Sequence, residues 1–268
     1  MKYSESLPSP RFAAVVKCYW SIESDDIAHV PQPVLPDGCT EIVFNLADRF
    51  ERLHFDGGVE IQPRVLVAGQ MRKGISIQPT GKVHLFGVRF LPAGAFGFLG
   101  SPMSELTDRI ENAINIFGRS IDSMLDRLAE ATSFQVKINA FEDLLDCYGD
   151  RVFSRSPELG YALDVISEDD PPIAQVANRL GWSERRLERT FKERVGLSPK
   201  TFSRINRFQR LLRLLESDTS VDLAAAAIDC GYYDQPHMNR DFASFAHTSP
   251  KAFLDASHRI SELFVVGE

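Results

Sequence analysis

The chain has 268 residues, of which 44% are hydrophobic and 25% charged, with a formal net charge of −7. That length favours two domains, and that composition suits a globular protein that buries a real core. No run of about 18 or more apolar residues occurs, which excludes a helical membrane span, and residues 1–6 lack the apolar core of a signal peptide.

Residues 1–10 are rich in Ser and Pro and read as an arm. Residues 15–22 read as a strand. Leu35-Pro36-Asp37-Gly38 is a turn, with Pro at its second position and Gly at its fourth. Residues 40–46 follow as a strand, and short strands are expected near 51–55, 64–69 and 74–78. Residues 83–91 give the strongest strand signal, rich in β-branched and aromatic side chains. Turn signals at Gly57-Gly58, Gly69 and Pro79-Thr80-Gly81 complete the pattern of a small antiparallel barrel or sandwich, cupin-like in outline.

The period then changes. Residues 92–99 and 101–106 suit short helices, and 120–131 and 134–148 suit amphipathic ones. In the last, Val136, Ile138, Phe141, Leu144, Leu145 and Tyr148 form a wide apolar face. Such helices can cover a sheet or pair with a second protomer. Residues 151–157 mark a boundary, and 159–167 form a helix leading into the Asp169-Asp170-Pro171-Pro172 break.

From Pro172 onward one unit is written twice. Ala177, Gly181, Trp182, Arg189 and Phe191 correspond to Ala227, Gly231, Tyr232, Arg240 and Phe242. The glycines are 50 positions apart and the Arg/Phe pairs 51, so the second copy carries one extra residue in its turn. The small Ala lets a second helix cross closely. The Gly accepts the positive φ that ends the first helix. Ser183, and Asp234 in the second copy, cap the next helix. Leu187 with Phe191, and Met238 with Phe242, lie four apart on one apolar stripe. This is the helix-turn-helix plan, whose second helix enters a major groove with its N-terminal side chains on base edges. Residues 199–216 form a joining helix about 27 Å long at 1.5 Å per residue, close to the roughly 34 Å repeat of successive grooves.

Charge supports this reading. Residues 1–170 carry 16 basic and 25 acidic residues, whereas 171–213 carry 11 basic and 3 acidic, a local balance of +8. A phosphate backbone requires such a patch beside the reader. Residues 214–268 hold 3 basic and 9 acidic residues, so the first head is expected to dominate affinity.

The segment resembles the double helix-turn-helix domain of the AraC/XylS family of bacterial transcription regulators. The likeness rests on the words Gly181-Trp182-Ser183-Glu184-Arg185-Arg186-Leu187-Glu188-Arg189-Thr190-Phe191, Gly196-Leu197-Ser198-Pro199, Gly231-Tyr232 with His237 and Arg240-Asp241-Phe242, and Thr248-Ser249-Pro250. It implies seven helices in about a hundred residues that bind two successive major grooves. Arg189 and Arg240 match the family positions most associated with base contact. Leu35-Pro36-Asp37-Gly38-Cys39 and Gly87-Val88-Arg89-Phe90-Leu91-Pro92-Ala93-Gly94 are similar to a β-rich domain found ahead of such readers, which implies a sensory or dimerising role.

The expected fold class is therefore α+β: a β-rich regulatory domain with trailing helices over 1–150, a linker and helix over 151–170, and an all-α double reader over 171–268. Glu184, Arg185, Arg186, Arg189, Gln235, His237, Asn239 and Arg240 are the expected DNA-contacting residues. Arg suits guanine, and Gln or Asn suits adenine. Lys192, Lys200 and Arg204 are expected phosphate contacts, and Arg207 and Arg210 are open to phosphate contact or plain solvation.

The expected partners are duplex DNA, a small-molecule effector, a second copy in a homodimer and, for an activator, RNA polymerase. The expected setting is the bacterial cytoplasm at the nucleoid, with no membrane. No cofactor and no enzymatic activity are expected. No catalytic fingerprint occurs, and His29, His54 and His84 lack a ligand spacing. Cys18, Cys39, Cys147 and Cys230 show no metal pattern and read as small buried apolar groups; the four-cysteine zinc site of some related repair proteins is not matched. An apolar barrel pocket lined by Trp20, Phe44, Phe86 and Phe90 is one option for an effector, and ordinary core packing is the other. A ligand-free interaction module, or more weakly an enzyme or metal domain fused to a reader, are the alternatives for the N-terminal half.

Overall fold

The computed structural model of the chain describes residues 1–25, 30–54, 56–153, 156–217 and 221–254. His29 and Phe55 fall outside them. The β-branched and aromatic runs of the N-terminal half form ten strands: β1 (Lys2–Ser6), β2 (Val16–Ser24), β3 (Gln32–Val34), β4 (Thr40–Asn45), β5 (Phe50–Leu53), β6 (Val59–Ile61), β7 (Val65–Ala68), β8 (Ile75–Pro79), β9 (Val83–Phe90) and β10 (Ile110–Asn112). They pair antiparallel in two sheets, β1-β2-β9-β4-β7-β10 and β3-β8-β5-β6. The two sheets are not closed into one barrel.

Every strand expected from the sequence is present, within a few residues. Three short strands, β3, β6 and β10, carry too little alternation to announce themselves. Residues 2–6 are a correction: they form an edge strand on β2 instead of an arm. An edge strand takes its order from its partner's ladder and tolerates the polar Ser and Glu there.

The period-2 alternation of β2, β4 and β9 gives the first sheet two apolar faces. Tyr19, Phe44, Phe86 and Phe90 share a core with Phe98 and Phe141. They face helices α1 (Ala95–Leu99), α2 (Ile114–Phe117), α3 (Ser120–Glu130) and α4 (Phe134–Cys147). The neighbours Trp20, Val43 and Leu85 form a separate cluster with Phe50 of the second sheet. The four aromatics of the expected pocket therefore divide. Only Trp20 turns toward the space between the sheets, because Phe44, Phe86 and Phe90 are on the opposite pleat. On α4, Ile138, Phe141 and Leu145 are buried, whereas Val136 is exposed.

Trp20 lies directly across from Gly87 in the β2–β9 register. A Cβ on Gly87 would stand 2.0 Å from the indole Cε2, so this glycine is the seat of the ring. Gly87→Ala is expected to cost about 1–3 kcal/mol as an overpacking change. Urea unfolding followed by fluorescence would register both the loss and a shifted Trp20 emission.

Seven further helices follow: α5 (Pro157–Glu168), α6 (Ile173–Arg179), α7 (Glu184–Arg194), α8 (Pro199–Ser217), α9 (Leu223–Asp229), α10 (Gln235–Ala246) and α11 (Pro250–Leu254). One core unites them. It includes Leu163 and Ile166 from α5, Leu187 and Phe191 from α7, Phe208 and Leu212 from α8, and Met238 and Phe242 from α10. Helix α5, expected over 159–167 in the linker-and-helix segment, thus packs as part of the reader.

Three hydrogen bonds and a cation–π contact are among the links between the N-terminal domain and the reader. Thr107 donates its hydroxyl to the Gly196 carbonyl (2.5 Å) at the end of α7. Gln209 on α8 donates to the Pro36 carbonyl (2.6 Å). The Gly74 N–H donates to the Phe245 carbonyl (2.6 Å) on α10. The Arg194 guanidinium also lies 4.0 Å over the Phe96 ring.

Candidate nucleic-acid interface

The two repeats fold alike because each ends its first helix in the same way. Gly181 and Gly231 take φ of +65° and +85°. Trp182 N–H reaches the Ala177 carbonyl (2.9 Å), and Tyr232 N–H reaches that of Ala227 (2.8 Å). Gly181 and Gly231 N–H groups bond Asn178 and Ile228 carbonyls. This is the Schellman arrangement, which needs a left-handed residue at that position. The second helices then start on side-chain caps. Ser183 Oγ accepts from Arg186 N–H (3.2 Å), and Asp234 Oδ1 accepts from His237 N–H (2.7 Å). Ala177 and Ala227 are fully buried at the helix crossings.

Helix α8 packs between the heads. The Phe202 ring meets Phe191 of the first head edge-on, and the Phe208 ring meets Phe242 of the second. Its 19 residues span about 28 Å.

On α7, Glu184, Arg185, Arg186, Glu188 and Arg189 are exposed. The Arg186 guanidinium stacks 4.2 Å over the Trp182 ring, which orders it at modest cost. Glu188 pairs with Lys192 (3.7 Å), so it acts within its own helix. On α10, Asn239 and Arg240 are exposed, whereas Gln235 and His237 are half-buried. The His237 ring packs edge-on to Tyr232 at 5.5 Å. Tyr233 is 87% exposed beside this head. It is the extra residue of the second turn; the one-position change in repeat spacing was the signal that pointed to it.

Lys192 and Lys200 are exposed, but Arg204 is used otherwise. Its guanidinium forks onto the buried Asp241 carboxylate (Nη2 to Oδ1, 2.8 Å). A fork committed to a carboxylate has few donors left for the phosphate contact expected of Arg204. Arg207 and Arg210 are also internal. Both reach Asp170 Oδ2, at 3.5 and 3.7 Å. Arg207 lies over the Tyr232 ring, and Arg210 donates to the Ser167 carbonyl (3.0 Å). The basic stripe of α8 therefore bolts the reader together, and much of the outward positive charge is left to the first head. Arg213, not singled out in the sequence, is exposed on α8.

Among the described residues, no group of three or more His, Cys, Asp or Glu could hold a metal ion, and no helix is long and apolar enough to cross a membrane. Cys18, Cys39 and Cys230 are buried, while Cys147 is exposed against expectation. Burial pushes the Cys18 thiol up to about 12 and raises that of Cys39 further, so both are inert packing groups.

Two capped helix-turn-helix units on one shared strut define a double helix-turn-helix DNA-binding protein. Residues 176–256 match the model of a helix-turn-helix domain of the AraC type, and residues 4–112 match a domain of unknown function, DUF6597. A search among curated proteins finds no sequence match. Among solved structures, the chain is similar to ToxT from Vibrio cholerae O395 bound to (E)-4-(8-methylnaphthalen-1-yl)but-3-enoic acid. The identity is 8%, the coverage 95% of this chain and 99% of that one, and the TM-score 0.50, a likeness of fold alone. Looser matches are unsaturated fatty acid-bound ToxT from V. cholerae strain SCE256 (11% identity, 88% and 94% coverage, TM-score 0.47) and the AraC-like transcriptional activator CuxR (13%, 80% and 86%, 0.26). Residues 176–256 thus carry an AraC-type helix-turn-helix domain, which supports a DNA-binding transcription regulator.

Proposed function

We propose that the regulator reads two successive major grooves, with Arg185, Arg186 and Arg189 on one and Gln235, Asn239, Arg240 and Tyr233 on the next. Lys192 and Lys200 contact phosphates. Glu184 orients its arginine neighbours or accepts from a cytosine amine, and His237 holds the second head's turn through Tyr232. Division into 1–150, 151–170 and 171–268 serves this reading, with α5 bracing the reader.

The N-terminal domain sets the freedom of the two heads, through a small effector, pairing of two protomers, or both. One observation carries this: the domain grips the end of each reading helix and the strut between them, through Gly196, Phe245 and Gln209. A change in its sheets is thereby felt at both heads. Gln209→Ala removes the strut's bond to Pro36 without touching the reading face. Its affinity for a selected operator is expected to change several-fold, while binding of a DNA carrying only one half-site stays as in the parent. Equal shifts on both DNAs would refute the linkage. Lys192→Ala is expected to weaken binding evenly across sequences and lower the salt slope by about 1, read by titration at several salt concentrations.

A further inference from the structure

The space between the two sheets holds a cavity of about 70 Å³, lined by Trp20, Glu41, Asn45, Phe50, Gln62 and Leu85 among others. A second, of about 50 Å³, lies against α8 and is lined by Asp37, Arg89 and Gln209. The two share Val34, Glu41 and Ala68. Most of the inner wall is apolar, so its few polar groups decide what it accepts.

Two of those groups, Asn45 and Glu41, offer acceptors. Asn45 is 1% exposed. Its Nδ2 donates to the Pro63 carbonyl (3.3 Å), and its Oδ1 has no partner. Turning the amide over would set Oδ1 against that carbonyl and strand the NH₂, so Oδ1 stays the unpaired atom of a side chain that lines the cavity. Leaving a buried acceptor without a donor is costly, and a ligand donor would recover that cost. Glu41 Oε1 accepts from Trp20 Nε1 (3.2 Å) and Arg89 Nε (2.5 Å).

Charge bears on the choice as well. Arg89, 3% exposed, faces two carboxylates, Glu41 and Asp37 (3.4 Å). Burial pushes the Glu41 carboxyl up even with Arg89 beside it, so an added cation at this wall would favour its charged form. Lys17, which also acts on the Cys39 thiol, lines neither cavity. A carboxylate ligand would therefore be buried beside Glu41 with its natural cation already engaged, whereas an ammonium would pair with the Glu41 carboxylate.

Resting on the reading that the N-terminal domain senses an effector, we infer that the effector is a small primary amine with a short apolar body, its ammonium donating to Asn45 Oδ1 and the Glu41 carboxylate. The same carboxylate anchors Arg89, which pairs with Asp37, the neighbour of the Pro36 carbonyl that Gln209 grips. The amine thus meets the reader's strut through a short chain of contacts.

The test uses the full chain carrying Trp182→Phe, which leaves Trp20 as its sole tryptophan. Isobutylamine, isobutyric acid and isobutanol are titrated separately, with Trp20 emission and melting temperature as readouts. The expected result is a saturable emission change and a raised melting temperature with isobutylamine, its affinity more than about tenfold above that of the acid, as a close charge pair at low dielectric provides. In Asn45→Val the amine's affinity falls at least about tenfold. Stronger binding of the acid, equal binding of amine and alcohol, or no saturable response to the amine would overturn the assignment. Operator binding is measured on the parent chain, which keeps Trp182, with and without isobutylamine. An amine that binds Trp20's cavity yet leaves operator affinity unchanged would refute the regulatory role and keep the ligand class.

Discussion

Replacing Arg189 with Ala is expected to lower affinity for a selected operator by about 1–3 kcal/mol, roughly tenfold to more than a hundredfold, and to relax sequence preference in one half-site. Arg189 is exposed on α7, and no ion pair engages it among the described residues. Helix α7 is held by the Ser183 cap and by buried Leu187 and Phe191, so truncating an outward side chain leaves the fold intact. A guanidinium fork that meets O6 and N7 of guanine has no substitute in Ala. The equivalent Arg240→Ala is expected to lose less. The second head lies in an acidic segment, with 3 basic and 9 acidic residues over 214–268, which weakens phosphate attraction around it. Fluorescence anisotropy with both variants checks the order, and a larger loss for Arg240→Ala would reverse the assignment of the dominant head.

Asp170→Ala is expected to destabilise the protein by about 2–4 kcal/mol, a loss discounted for the partial exposure of its partners. Asp170 bridges the break between α5 and α6 and accepts from Ser203 Oγ on α8. Arg207 and Arg210 approach its other oxygen. Nε of each arginine is already buried without a partner, so removing the carboxylate leaves two guanidinium groups in a pocket with little to balance them. The backbone adds to the effect, since Asp170 takes φ of +48°. Asp tolerates that region better than Ala. Asp170→Asn separates the two causes: it keeps the tolerance and loses the charge, and is expected to recover a minority of the stability. Denaturant unfolding monitored by circular dichroism gives both values. A loss under 1 kcal/mol for Asp170→Ala would show that the bolt is not needed.

The reader was legible because its physics is local. Gly181, Ser183 and the Leu187/Phe191 stripe each fix one step of backbone within a few residues, and the second copy repeats the signal. The two caps and both left-handed glycines are where the sequence places them. The fate of Arg204, Arg207 and Arg210 was not legible. Their partners Asp241 and Asp170 are distant in the chain, and a basic run reads the same whether it faces phosphate or a buried carboxylate. The same limit blurred the lining of the expected pocket. Trp20 and Phe44 look alike as aromatic strand residues, and only the register against Gly87 and the second sheet separates them. Strands β3, β6 and β10 have three residues each, too few to show a period. Tyr233 lies one residue outside the repeated words and shows in the sequence only as a one-position offset.

Hydroxyl-radical footprinting of the full-length protein on an operator selected from random DNA probes the two-headed grip most directly. Two protected patches are expected on one face of the duplex, centred about 10–10.5 base pairs apart, with Arg189→Ala thinning one patch and Arg240→Ala the other. A single patch, or two patches that both variants leave unchanged, would contradict it.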